Sequence, residues 1–233
     1  MRKTDHGTGG YYHIFNRGVD QRDIFLDEED REKLFHSLYL FNDTEYKNTG
    51  STRFHNDALI AGSDVLHQFR KPFVSILSYC LCDNHFHLLI RQNVDQGVER
   101  FLHKLQMGFA KYFNKKYGRT GRLFESEYRS VPVETDAHFL HLPRYIHLNA
   151  LDGSAYEWRD GQIQDWSAAM ATLDAYPWSS HHYYCGRPQE LQVLDEQAIG
   201  ESIDLRDYER FLREWATRPL PADVEMLLPD VTQ

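Results

Sequence analysis

The sequence predicts an α+β fold, an antiparallel sheet with helices packed against it, and two observations carry that expectation. Segments of strand character and segments of helical period follow one another in the order strand, helix, two strands, helix, strand, helix. A hydrophobic content of 41% over 233 residues then supplies one sizeable core, or a core domain with an extension.

Each element has its own signal. "YYHIFNRG" (11–18) reads as a short strand closed by a glycine turn, and the acidic opening "DEEDREK" suits the start of a helix running from Asp27 to about Lys47. Residues 42–72 are polar, rich in turn formers and without a clean period, which marks an inserted loop. From Phe73 to Arg91 the chain reads as two strand segments, "FVSILSYCL" and "HFHLLIR", with a kink or bulge at Asp83-Asn84. Val98, Phe101, Leu102, Leu105, Phe109 and Phe113 recur at helical spacing and predict a helix over 96–117, which "GRTG" ends. A strand through "YRSVPVE" and a helix over 136–150 complete a first domain, residues 1–155. Residues 156–233 form an acidic, helical C-terminal extension.

Charge and cysteine content narrow the function classes. The net charge of −9 argues against nucleic acid until its distribution is considered. Between Lys104 and Arg129 there are 7 basic residues against 2 acidic ones, a local basic patch, whereas residues 151–233 hold 6 basic against 16 acidic. That acidic stretch reads as a solvated face. Lys111, Lys115, Lys116, Arg119 and Arg122 make most of that patch and are candidate contacts for phosphates. Three cysteines cannot pair completely, so reduced thiols are expected. No apolar run approaches the roughly 20 residues that span a bilayer, and "MRKTDHGTGG" lacks a secretory apolar stretch, which makes a cytoplasmic protein without a membrane partner the expectation.

Two constellations could carry chemistry. His85 and His87, two apart on a strand, face one side and could grip a divalent metal, although strand histidines are more often hydrogen-bonded structural residues. Cys80 and Cys82 would add two groups that zinc accepts. On an unbroken strand, however, even-numbered cysteines and odd-numbered histidines face opposite sides, and only a break at Asp83-Asn84 could bring them together, so buried, inert cysteines are expected. Tyr145 and Asn149, four apart on a helix, share a face one turn apart, an arrangement also common on ordinary helices. His138, His141 and His147 read as structural or surface residues. Tyr112, near the basic segment, is the tempting decoy for Tyr145, and its neighbours suggest packing.

Taken in order, "HIFNRGVDQRDIF", "SYCLCDNHFHLLI", "KLQMGFAKYFNKKYGRTGRLF", "RYIHLNAL" and "YPWSSHHYYCG" resemble the REP-associated tyrosine transposases and their insertion-sequence relatives, a family of HUH single-strand DNA endonucleases. The resemblance spans His13 to Gly186. It implies a ferredoxin-like sheet with the histidine pair on a central strand, Tyr145 as nucleophile on a nearby helix, and Asn149 completing a metal site with His85 and His87. It further implies Mg2+ or Mn2+ as the ion, hairpin-bearing single-stranded DNA as substrate, and a 5′-phosphotyrosine intermediate in cleavage and rejoining. The same motifs could persist in a non-cleaving nucleic-acid binder, and the cysteine–histidine cluster in a zinc-stabilised interaction protein. A monomer and a homodimer both fit. Cys82-Asp83-Asn84 replaces the usual Met-Pro-Asn before His85, Ala150 replaces the proline after Asn149, and Glu125-Ser126-Glu127 replaces Gln-Gly-Arg.

Overall fold

A computed structural model describes residues 6–45, 70–154, 156, 158–189 and 191–217. Four strands, β1 (Tyr11–Arg17), β2 (Val74–Cys82), β3 (His85–Gln92) and β4 (Arg129–Pro132), form one sheet in the order β2-β3-β1-β4. Every neighbouring pair is antiparallel. With helix α1 (Glu28–Leu40) between β1 and β2, and α2 (Gly97–Lys116) between β3 and β4, the chain runs strand-helix-strand-strand-helix-strand, the ferredoxin-like topology. Helix α3 (Asp136–Leu148) follows β4. Most of the inserted loop expected at 42–72 lies outside the described residues.

Local chemistry sets the helix ends. The Asp27 carboxylate accepts from the Asp30 amide at 3.0 Å to cap α1, and the Thr135 hydroxyl accepts from the His138 amide at 3.1 Å to cap α3. All six apolar residues whose spacing predicted α2 are buried. Gly108 interrupts that helix where a Cβ would come within 2.6 Å of the Phe41 ring, so close packing explains a residue that helices otherwise disfavour.

One expectation is corrected here. Asp83-Asn84 is no kink in a continuing strand but the two-residue turn of a hairpin, which pairs Cys82 with His85 and Cys80 with His87. Directly paired residues project on the same side of a sheet. The cysteines therefore share the histidine face, and parity along a single strand gave the wrong answer because the chain reverses.

The sheet has two unlike faces. Ile14, Phe86, Leu88 and Ile90 point to the layer of α1 and α2, where Asn16 Nδ2 also donates to Gln106 Oε1. His13, Phe15, His85, His87, Cys80 and Cys82 point to the layer of α3. The C-terminal helices α4 (Trp166–Ala175), α5 (His181–Tyr184), α6 (Glu196–Ser202) and α7 (Tyr208–Ala216) follow α3. Trp158, Leu173, Tyr184, Ile199, Tyr208 and Leu212 from this extension join the same apolar core as the sheet. His147, fully buried on α3, meets Tyr208 Oη at 2.6 Å and Ser180 Oγ at 2.7 Å, pinning the extension to α3. Among the described residues no helix is long and apolar enough to cross a membrane.

Candidate active site

The sheet and α3 bring together the two constellations that sequence order kept 58 residues apart. The Tyr145 ring packs edge-on against His87, centroids 5.5 Å apart, and His85 lies 4.9 Å from His87. All three side chains are buried. Register places His85 opposite Arg17, at the end of the sheet where β1 finishes. Cys82 Sγ donates to the Asn149 carbonyl there at 3.6 Å, so the end of α3 sits at the same end of the sheet.

The imidazoles are held by their Nδ1 atoms. His85 Nδ1 donates to Asn84 Oδ1 at 2.7 Å, which leaves the lone pair on Nε2. His87 Nδ1 shares a 2.9 Å hydrogen bond with Nε2 of His13, a buried residue on the neighbouring strand. Nε2 of His85 and Nε2 of His87 are both buried without a hydrogen-bond partner. Metal-binding histidines characteristically bond a protein acceptor through one ring nitrogen and offer the other to the ion. The pair fits a divalent cation on that observation.

The electrostatics of the two imidazoles differ. Burial pushes the His87 pKa well below its ordinary value, reinforced by His85, His13 and Arg159, so its ring is neutral. His13 is lowered to about 3, by burial first and by His138 second, and can accept from His87. For His85 burial acts downward, but Cys82 and Asp152 outweigh it and the net displacement is upward. Burial holds the Cys82 pKa far above the usual thiol range, so the sulfur stays protonated. Although they share a face, the cysteines and histidines make no cluster of three possible metal ligands among the described residues.

Asn149 is the C-cap of α3 and is almost fully buried. Its Nδ2 donates to the Tyr145 carbonyl at 2.6 Å, and its Oδ1 accepts from Arg159 Nη2 at 3.0 Å. Arg159 is also paired with Asp152, 2.8 Å from Nη2 to Oδ2. The adjacent Trp158 covers Tyr145, ring centroids 5.7 Å apart. Sequence reading missed His13, Trp158 and Arg159. His13 could have been suspected from its strand, since it alternates with Tyr11 and Phe15, but nothing local in the sequence says which strand lies beside β3.

The other predicted residues lie on α2 and the loop after it. Lys111, Lys115 and Arg122 are exposed, and Arg119 is half-buried with its guanidinium over the Phe113 ring. Lys116 instead reaches three carboxylates of the α1 N-terminus, Asp27 at 2.8 Å, Glu29 at 2.9 Å and Asp30 at 3.0 Å. Tyr112 donates to Asp30 Oδ1 at 3.0 Å, in the layer of α1 and α2. His138 is buried, and His141 packs on Phe211 and Trp215. A cavity of about 570 Å³ lies between α2 and residues 122–128, with neither His85 nor His87 in its lining.

Residues 55–149 match the family model described as "Transposase IS200 like", a segment containing His85, His87, Tyr145 and Asn149. A solved structure described as "Structure of the REP associates tyrosine transposase bound to a REP hairpin" is similar at 12% identity and a TM-score of 0.48, covering 80% of this chain and 86% of the other. A comparison with curated proteins gave no significant match.

Proposed function

We propose, on the premise that residues 55–149 belong to the IS200-like transposase family, that this chain cleaves and rejoins hairpin-bearing single-stranded DNA through Tyr145. His85 and His87 would hold a divalent ion, Mg2+ or Mn2+, through their Nε2 atoms, with the Asn149 carboxamide oxygen as a third donor. The observation that supports the reading most directly is the edge of the Tyr145 ring against His87, beside two buried and unpartnered imidazole nitrogens. Both come from one chain, so the tyrosine can act on its own subunit's site.

The bound ion would polarise the scissile phosphodiester and neutralise charge on its oxygens. Tyr145 Oη attacks phosphorus, loses its proton, and forms the P–O bond of a 5′-phosphotyrosine as the bond to the 3′ oxygen breaks. That oxygen leaves with a proton as a free 3′ hydroxyl. A 3′ hydroxyl attacking the same phosphorus reverses the step and joins new ends, so no nucleotide cofactor is required. His13 and Asn84 keep His87 and His85 in the required tautomers. The packing of Tyr145 between His13, His87 and Trp158 fixes the ring before substrate arrives.

The test is a denaturing gel for a covalent protein–DNA adduct on hairpin-bearing single strands taken from the repeats flanking the gene. Tyr145→Phe, His85→Ala and His87→Ala should each abolish the adduct, and chelation should mimic the histidine variants. Tyr112→Phe should still form it. An adduct on any tyrosine other than Tyr145 by mass spectrometry overturns the assignment. Strand binding without any adduct would instead favour a non-cleaving binder.

A further inference from the structure

Asn149 has an orientation that its partners determine. A guanidinium can only donate, so Oδ1 must face Arg159, and Nδ2 then faces the Tyr145 carbonyl. The oxygen required as a metal donor is therefore already bonded to a cation. A fixed positive charge on that oxygen opposes a second, divalent one beside it.

Arg159 is also the solvent-facing part of the site. Its side chain is 31% exposed, whereas Tyr145 is 3% and His87 0% exposed. Its guanidinium lies 4.3 Å from the ring centroid of Trp158, which covers Tyr145, and Trp158 Nε1 donates to the Asp152 carboxylate that holds Arg159. A DNA strand arriving from solvent meets the Arg159 side chain before it meets the phenol. A phosphodiester is an anion with two oxygens for the guanidinium fork, a stronger partner than a neutral carboxamide.

We propose that Arg159 is a positioning residue that exchanges Asn149 for the scissile phosphate, releasing the Asn149 oxygen to the metal so that ion and DNA strand bind cooperatively. The proposal rests on the reading of Tyr145, His85 and His87 as the cleavage site. Linkage makes the effect reciprocal, with the strand tightening the ion by the factor by which the ion tightens the strand.

The experiment measures Mn2+ affinity by calorimetry in the full chain carrying Tyr145→Phe, which prevents turnover, with and without a hairpin-bearing oligodeoxynucleotide from the flanking repeats. In that parent the oligonucleotide should tighten Mn2+ about fivefold or more. Adding Arg159→Ala should tighten Mn2+ alone by a similar factor, remove the further gain from DNA, and weaken the oligonucleotide. A merely structural arginine predicts the opposite sign, because loosening the site weakens the ion. Should Arg159→Ala not fold, Arg159→Gln removes the charge while keeping a donor, and carries the same expectation. Unchanged or weaker Mn2+ binding in a folded Arg159 variant overturns the exchange, as does coupling to DNA that survives it. His87→Ala separates the two readings: if it binds Mn2+ as well as its parent, the cleavage site itself is misassigned.

Discussion

Two buried polar clusters lie on opposite sides of the sheet, and they differ in whether their hydrogen bonds are complete. In the layer of α1 and α2, the fully buried Asp30 accepts from the Leu26 amide, Tyr112, Tyr117 and Lys116. On the other face, His13, His85 and His87 are as deeply buried, yet each keeps a ring nitrogen without a partner. A satisfied buried network specifies a fold, whereas an unsatisfied one lowers stability unless something else binds there. The contrast separates a self-satisfied cluster from one left open where residue types alone do not, since each cluster contains or adjoins a helical tyrosine near basic residues.

The largest effect expected from this contrast is on stability. Asp30→Leu strands the Leu26 amide and the Tyr112 hydroxyl and takes one carboxylate from Lys116 and Tyr117, which keep Asp27, and should cost about 3–5 kcal/mol. His85→Leu, in metal-free protein, removes one hydrogen bond to Asn84 but also a buried Nε2 that already lacks a partner, and should change stability by no more than about 1 kcal/mol. Urea melts of both variants in chelator check this. A loss at His85 as large as that at Asp30 would break the comparison.

Much of this arrangement was legible in the sequence because it depends on local period. The alternation in "HFHLLIR" put His85 and His87 on one face, and the apolar spacing of α2 gave its buried stripe. The partners of those residues were not legible, because they come from strand pairing and helix docking across long stretches of chain. His13 reaches His87 across 74 positions, and Cys80 joins the histidine face only because the chain turns at Asp83-Asn84. Lys116 shows a milder form of the problem. It follows Lys115 by about 100° around α2, and stands one turn beyond Tyr112, so neighbours in a basic run face different surroundings.

The next effect is smaller for each residue and pH unit, and concerns histidines whose bonds are complete. His147 is buried between Tyr208 and Ser180 and near His181 and His182, and burial first, then those two histidines, holds its pKa well below the ordinary value. His181, facing Asp174, His182, Arg187 and Cys185, is lowered to about 4, chiefly by burial. Both are neutral in the folded state while the unfolded chain takes up protons below about pH 6.5. Stability is therefore fully present above that pH. It should fall with acidification, by about 1.4 kcal/mol per pH unit for each residue, until about pH 4 for His181 and further for His147. Melts between pH 7.5 and 4.5 read this directly, and His147→Gln should flatten the acid limb. A flat profile in the parent chain would mean that these rings are not held neutral.

The smallest effect tests how the basic surface serves the site on the other face. Gly18 bridges Phe124, and Arg17 pairs with His85, so the loop carrying Arg119 and Arg122 lies at the end of the sheet where β3 begins. Under the proposed function, a strand lying on that loop would reach Tyr145 around the end of the sheet rather than across it. Lys111 and Lys115 are exposed on α2, which leads into this loop, whereas Lys116 is held by Asp27, Glu29 and Asp30. Each lysine that contacts a phosphate adds about 0.7 to the slope of log affinity against log salt for a single strand. Replacing Lys111 and Lys115 together by alanine should lower that slope by about 1.4, because two phosphate contacts are lost. Lys116→Ala should leave the slope unchanged and lower stability instead, since its charge answers carboxylates of the protein and not phosphates of the nucleic acid. If the slope falls with Lys116→Ala and not with the double variant, DNA displaces the Asp30 network, and the division between a structural layer and a functional one fails at that helix.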